Sequence, residues 1–167
     1  MKKWMAMFVF LTLTLIPESC LRQPPNVEEV ESFMDKNWES IVLVNDYLLG
    51  LGDRDAIIDC EEGDILIDLV LQQIEDDAVR EAIQSLRREG CTGISKTINT
   101  DDIKNAIDYL IWIRTIGGVS CGFVYAIDHT RPPKLQYQTE LIPLSREGWY
   151  YYIENYEEWR ENNRHSR

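Results

Sequence analysis

Carboxylates are the densest group of side chains that could do chemistry in this sequence. Between positions 53 and 68 they are Asp53, Asp55, Asp59, Glu61, Glu62, Asp64 and Asp68. Calcium needs six or more oxygen ligands that a tight loop brings together. The spacing does not match the D-x-[DN]-x-[DN]-G loop, so we interpret these residues as turn and surface carboxylates and predict no metal site.

Histidine and cysteine do not occur at the spacings of a zinc site. The histidines are His129 and His165, and no C-x-x-C or H-x-x-x-H pair occurs. A nucleophilic pair of Cys121 and His129 would need hydrogen-bond contact. The extended chain between them spans roughly 25 Å, which excludes that contact unless the chain bends sharply. We predict no metal and no cofactor.

Sequence motifs of the common catalytic sites are missing as well. The chain has no G-x-S-x-G, P-loop, G-x-G-x-x-G or S-x-x-K motif. We therefore predict no catalytic residues and a non-enzymatic domain. An extracellular hydrolase that uses carboxylates stays open as an alternative, and it would require two carboxylates converging in a deep pocket, with at least one desolvated.

Aromatic side chains gather near the C-terminus. They are Trp149, Tyr150, Tyr151, Tyr152, Tyr156 and Trp159. Tyrosine and tryptophan are favoured in binding hot spots because they bury a large area at little rotamer cost. They also suit strands, where alternation would place Trp149 and Tyr151 on one face. Both interpretations stay open: a sheet core, or a surface that binds a protein or a small molecule.

The N-terminus has the proportions of a signal peptide. A positive start, Met1-Lys2-Lys3, precedes an uncharged apolar run from Trp4 to Ile16, which is shorter than the roughly 20 residues that span a bilayer. Ser19 then precedes Cys20. The combination resembles a bacterial lipoprotein signal, which implies lipidation of Cys20; ordinary secretion and a retained apolar anchor are the alternatives.

Lipidation would hold the domain on the outer side of the cytoplasmic membrane, on a tether formed by residues 20–26. It adds more than one acyl chain, as stable anchoring requires. Cys60, Cys91 and Cys121 then remain, so at most one disulfide can form, and buried thiols are the alternative.

Composition narrows the class of partner. The 167 residues suit one domain with its own core, and the net charge is −12. Phosphate contact needs a basic surface, so we predict no nucleic-acid partner.

Hydrophobic periodicity predicts two principal helices, Val27–Leu49 and Asp76–Glu89. Asn26 and Glu29 have the spacing of a capping box at the start of the first helix. Gly90 ends the second.

The stretch Ile107–Asp128 predicts a β-hairpin, because two β-branched and aromatic runs flank Gly117-Gly118. With these glycines as a two-residue turn, Arg114 would face Cys121. Both faces of the hairpin are mostly apolar, so it should lie in the middle of a sheet.

Shorter elements surround these. We predict a hairpin of Ala56–Cys60 with Ile65–Leu69, with a helix from Asp64 to Gln73 as the alternative. Further strands are expected within Ile94–Ile98, Leu135–Leu144 and Trp149–Tyr152, followed by a short helix, Ile153–Arg160. The fold class is therefore α+β, with a mainly antiparallel sheet of about four to six strands.

The close of the chain, TELIPLSREGWYYYIENYEEWR, and the FVYAID that ends the hairpin carry a resemblance. With the lipoprotein-like start, the chain resembles small uncharacterised lipoproteins of Gram-positive bacteria that end in a comparable LxPL…WYYYxxxxxEWR segment. The resemblance implies no activity and no site residues.

The predicted organisation is a signal peptide (1–19), a tether (20–26), one α+β domain (27–160) and a polar tail (161–167). We expect a membrane-anchored, extracytoplasmic binding domain. The aromatic segment is the first candidate contact surface and the acidic hairpin is the second. The negative charge would also suit an immunity-type protein that neutralises a basic toxin.

Overall fold

The computed structural model describes residues 23–60, 64–68, 70–98, 105–114, 117–128 and 131–164. Along these residues the chain forms α1 (Val27–Lys36), α2 (Trp38–Gly50), β1 (Ala56–Asp59), β2 (Asp64–Ile67), β3 (Val70–Gln73), α3 (Asp77–Arg88), β4 (Gly93–Thr97), β5 (Ala106–Arg114), β6 (Val119–Ala126), β7 (Gln138–Pro143), β8 (Trp149–Asn155) and α4 (Tyr156–Arg164). The α+β class is confirmed. The predicted number of strands is too low, because the described residues form a sheet of eight.

The strands form one antiparallel sheet in the order β3-β2-β1-β4-β5-β6-β8-β7. The glycine hairpin, β5 with β6, lies in the interior of this order, which confirms its predicted central place. The hairpin of β1 and β2 is also confirmed over the alternative helix, and its turn lies outside the described residues. The sequence did not predict β3, which follows β2 after a turn at Asp68 (φ 48°).

The register of the central hairpin differs from the predicted one. Arg114 pairs with Val119, not with Cys121, so the connection between the strands is longer than Gly117-Gly118 alone. Both glycines have positive φ, 91° and 58°, which glycine adopts without steric cost. The prediction recognised the turn residues and misjudged the length of the loop.

A β-bulge in β5 shifts the same ladder between Leu110 and Trp112. Gly122 lies opposite, and a Cβ there would lie 1.9 Å from the Tyr109 carbonyl oxygen. Only glycine therefore permits the close approach of β5 and β6 at this point.

The predicted long first helix is divided at Asn37 into α1 and α2. Asn37 Nδ2 donates to the Phe33 carbonyl oxygen at 2.9 Å, and the backbone of Asn37 (φ −111°, ψ 14°) leaves the helical region. A side chain that bonds to a nearby carbonyl competes with the helix in this way. The predicted start is confirmed, because Asn26 and Glu29 form the capping box.

The inner face of the sheet and the apolar sides of α1, α2 and α3 form one core. Tyr109 and Phe123 stack at its centre with ring centroids 4.8 Å apart. Trp38 of α2 meets Trp149 of β8 edge-on at 5.7 Å. The helices thus cover this face with large rings.

The outer face is covered unevenly. Leu135, from the connection between β6 and β7, packs there with Val124 and Tyr152. At the other end of the sheet, Ile57 of β1 and Leu71 of β3 are 54% and 66% exposed. The outer face of the first three strands is therefore the more open half.

The C-terminal elements lie later in the chain than predicted. Ile153 continues β8 and pairs with Cys121 of β6. Asn155 Oδ1 accepts a hydrogen bond from the Glu158 backbone at 3.2 Å, in the manner of an N-cap. The final helix therefore begins at Tyr156, not at Ile153, and ends at Arg164.

Candidate functional site

Three of the six predicted aromatic residues lie inside the protein. Trp149 and Tyr151 face the main core, and Tyr152 faces the opposite side, with exposures of 5%, 3% and 1%. The alternation expected for a strand is therefore realised here. These three side chains pack the fold and are not accessible to a partner.

The other three aromatic residues lie closer to the surface. Tyr150 and Trp159 are partly buried, and Tyr156 is 42% exposed. Tyr137 packs edge-on against Tyr156 and Trp159, with centroids 5.0 and 5.3 Å away. The contacts among Tyr137, Tyr156 and Trp159 hold α4 beside β7. Much of the area of these rings is therefore already in contact within the protein.

Asp108 and Glu154 are the carboxylates that come nearest to the requirement for a hydrolase. The Tyr152 hydroxyl donates to Asp108, and burial raises the pKa of Asp108 to about 7. The Oδ1 atom of Asp108 has no hydrogen-bond partner among the described residues. Burial also raises the pKa of Glu154, which accepts from Ser120 Oγ at 3.4 Å.

Two cavities of the described residues lie elsewhere. One of about 520 Å³ is lined by residues that include Glu29, Phe33 and Glu89. The other, of about 450 Å³, includes Arg114 and Glu140. Neither is lined by Asp108 or Glu154, so neither cavity gives a substrate access to that pair.

Cys121 does not have the environment of a nucleophile. Its side chain is fully buried, and burial raises the pKa of the thiol to about 12. A reactive cysteine needs a depressed pKa. Its suggested partner His129 lies outside the described residues. Within those residues no three His, Cys, Asp or Glu side chains are grouped to hold a metal ion.

Lys96 is a buried charge that the sequence did not single out. It is 2% exposed, and its Nζ donates to Leu48 O at 2.8 Å and also to Gly52 O. Burial lowers its pKa. These bonds satisfy carbonyl groups where α2 ends, so the lysine has a structural role. In the sequence, the signal for this role was that Lys96 is the single charged residue in the predicted strand Ile94–Ile98.

Most of the net charge of the protein lies in the acidic hairpin and the residues that follow it up to the start of α3. Residues 53–77 contain ten Asp or Glu and one basic residue, Arg54, which gives −9 of the total −12. Asp53, Asp55 and Asp68 are exposed, and Asp64 is partly buried at the start of β2. Glu61 and Glu62 lie outside the described residues. Opposite charges are therefore attracted to this end of the sheet.

An apolar row crosses the same hairpin on its outer face. Ile57 pairs with Leu66, and Leu66 pairs with Leu71, so the three side chains lie side by side. The neighbouring residues Ile58 and Ile65 point the other way and are buried in the core. The row therefore ends at β3, on the edge of the sheet. We call β1, β2 and β3 with this row the edge surface.

The two edges of the sheet are protected differently. At one edge, β7 contains Pro143 and has a register shift between Gln138 and Glu140, and both features discourage pairing with another strand. At the other edge, β3 has neither proline nor lysine, and all its side chains are exposed. Among the described residues, no strand pairs with the free side of β3.

Comparison of the chain with family models, with curated proteins and with solved structures found no match. The resemblance to Gram-positive lipoproteins therefore stays a prediction. Along the described residues no helix is both long and apolar enough to cross a membrane. The predicted signal peptide and Cys20 lie outside those residues.

Proposed function

We propose that this protein is a lipid-anchored, extracytoplasmic binding domain that captures an extended, basic segment of a partner protein on β3. The observation that carries the proposal is the free edge of β3, which the apolar row of Ile57, Leu66 and Leu71 flanks. An added strand gains affinity from backbone hydrogen bonds and specificity from alternate side chains. Here every second side chain of the bound segment would continue the apolar row beyond Leu71.

Charge indicates which partner would bind. The excess of −9 in residues 53–77 surrounds the apolar row with carboxylates. A basic segment is attracted by this field, whereas an acidic one is repelled. A basic toxin is one partner of this kind, and for such a partner the role would be that of an immunity protein.

The position of the tether supports access to β3. Tyr151 Oη donates to the Pro25 carbonyl oxygen at 3.0 Å, so the start of the described chain lies against β8. Between β8 and β3 the sheet order places β6, β5, β4, β1 and β2. Six strand spacings of about 4.8 Å separate them by roughly 29 Å. A tether leaving near β8 would therefore not obstruct the edge surface.

Photo-crosslinking at a single residue tests the proposed surface. A photoreactive amino acid replaces Leu71, and in the control it replaces Ile113, which is 58% exposed on β5. In cells that express the full chain, we expect a crosslinked adduct at Leu71 and not at Ile113. Peptide mapping should locate it on a basic, extended segment. Equal adducts at both positions, or an acidic segment, would contradict the proposal.

Fractionation tests the anchor separately. The variant Cys20→Ala cannot carry a lipid on that residue, so it should move from the membrane to the soluble fraction or keep an uncleaved signal. The mass of the mature N-terminus distinguishes these two results. Unchanged membrane association with a cleaved, unmodified N-terminus would refute the lipid anchor.

A further inference from the structure

Cys60 and Cys91 lie at the ends of neighbouring strands. Cys60 directly follows β1, and Cys91 lies two residues before β4. Asp59 pairs with Gly93 in the antiparallel ladder of β1 and β4. One further step of that ladder would place Cys60 opposite Thr92, next to Cys91. Cys91 is thus the chain neighbour of the residue that would lie opposite Cys60, so the two cysteines are at the same end of β1 and β4.

The two side chains are in contact inside the core. Cys60 and Cys91 are 2% and 1% exposed, and their thiols are hydrogen-bonded to one another. Cys91 Sγ also donates to the Gly93 carbonyl oxygen at 3.5 Å. In the structure both residues stand as thiols. Two thiols in this position need only a small movement to reach the bonding distance of about 2 Å.

We propose that Cys60 and Cys91 form a disulfide bond in the exported protein. This inference rests on the extracytoplasmic location that we propose above, because disulfides persist in oxidising compartments and are rare in the cytosol. The bond would join the ends of β1 and β4. It would close a loop that contains β2, β3 and α3, so it would fasten the edge surface to the middle of the sheet.

The oxidant is a disulfide of another molecule, which reacts by thiol–disulfide exchange. A thiolate of the pair attacks it to form a mixed disulfide and releases one thiol. The second cysteine of the pair then attacks the mixed disulfide and displaces the remaining half of the oxidant as a second thiol. The pair loses two protons and two electrons in total, and the oxidant leaves as two thiols. The hydrogen bond with Cys60 and burial hold the pKa of Cys91 well above its usual value. Exchange is therefore slow after folding, and we expect the bond to form while the chain folds.

Cys121 provides an internal control. It is fully buried on β6, and its pKa is raised to about 12 by burial. Its pairing partners in the sheet are Trp112 and Ile153, not a cysteine. We expect it to remain a thiol under the same conditions.

Peptide mapping tests the bond directly. The full-length protein is extracted from membranes in detergent, unfolded, alkylated with iodoacetamide before any reductant is added, and digested with trypsin. We expect the Cys60 peptide (55–80) and the Cys91 peptide (89–96) to be linked and two hydrogens lighter than their sum. The Cys121 peptide (115–134) should be alkylated.

A second sample of the same protein is reduced, unfolded and refolded with glutathione disulfide. If Cys60 and Cys91 are both alkylated in this sample too, the inference is refuted. If they are linked only in this sample, the pair is supported and the proposed location is contradicted.

Thermal unfolding provides a readout that does not depend on digestion. A disulfide that closes a long loop restricts the unfolded chain. Dithiothreitol should therefore lower the melting temperature of the wild type, and the variant Cys121→Ala should respond in the same way. The double variant Cys60→Ala/Cys91→Ala should not respond. An equal response of the wild type and the double variant would refute the bond.

Discussion

Asp108 interrupts the apolar run of β5, and its environment opposes its charge. The Tyr152 hydroxyl donates to its carboxylate, whereas Oδ1 has no hydrogen-bond partner among the described residues. Burial raises the pKa of Asp108 to about 7, from 3.8 in a model compound. An ionised carboxylate is costly in such a place, so the neutral acid is the form that suits the fold.

The variant Asp108→Asn should reveal this cost through the pH dependence of stability. Between pH 3.8 and pH 7 the folded wild type holds a proton that the unfolded chain has lost. Its free energy of unfolding therefore falls as the pH rises through this window, by about 4 kcal/mol at most. Asparagine does not titrate. From pH 4 to pH 7, urea unfolding should therefore show the free energy of unfolding of the variant rising relative to that of the wild type. Above pH 7 the difference should become constant.

The exposed carboxylate Glu157 gives the matched control. The difference in unfolding free energy between the wild type and Glu157→Gln should change little over the same range, because an exposed charge is well solvated. A difference for Asp108→Asn that is equally flat would show that its carboxyl group is not desolvated.

At the level of elements, local signals predicted the starts of α1 and α3 and the presence of the central hairpin, but not its register. The capping box at Asn26 and the glycines 117–118 act over a few residues, so a single sequence reveals them. Long-range contacts decided the rest. The bulge in β5 depends on its fit to Gly122, and β3 depends on a turn at Asp68 that contains no glycine.

The sequence was limited in the same way for the candidate binding surfaces, because long-range packing decides which residues are exposed. Alternation of Trp149 to Tyr152 fits a core strand and a binding strand equally well, because both have large amphipathic rings. Only packing against Trp38 and Phe123 decides between them. The acidic character of the hairpin was visible in the sequence, but its place at an open edge depends on the order of the strands.

The end of α2 depends on Lys96, which comes from a different element. The variant Lys96→Met keeps an unbranched side chain that is one heavy atom shorter, and it leaves the carbonyl oxygens of Leu48 and Gly52 without this donor. A buried acceptor that loses its partner costs about 1–3 kcal/mol. We therefore expect urea unfolding to show a loss of that size, and hydrogen exchange to show weaker protection at the C-terminal turn of α2.

Lys36→Met is the control for that substitution. Lys36 forms a surface ion pair with Glu89, and its side chain is 65% exposed. Such pairs contribute about 0–1 kcal/mol. If both variants lose the same stability, the bonds of Lys96 to the end of α2 are not important for the fold.

On the scale of the whole molecule, the net charge is concentrated at one end of the sheet. Residues 53–77 carry −9, so the rest of the chain carries only −3 of the total −12. The edge surface is at the β3 end, and α4 contacts β7 at the opposite end. A partner attracted by net charge alone would respond to a change at either end. A partner that binds β3 would respond to changes near β3.

Salt and paired substitutions should separate these two cases. The Debye length falls from about 10 Å at 0.1 M salt to about 3 Å at 1 M. In isolated membranes, the yield of the Leu71 adduct should therefore fall several-fold over this range. At 0.1 M salt, Asp64→Asn/Asp68→Asn should lower the yield, because both acids flank the apolar row on β2. Glu157→Gln/Glu158→Gln removes the same charge from α4 and should leave the yield unchanged. An equal loss in both double variants would mean that net charge, and not the edge surface, attracts the partner.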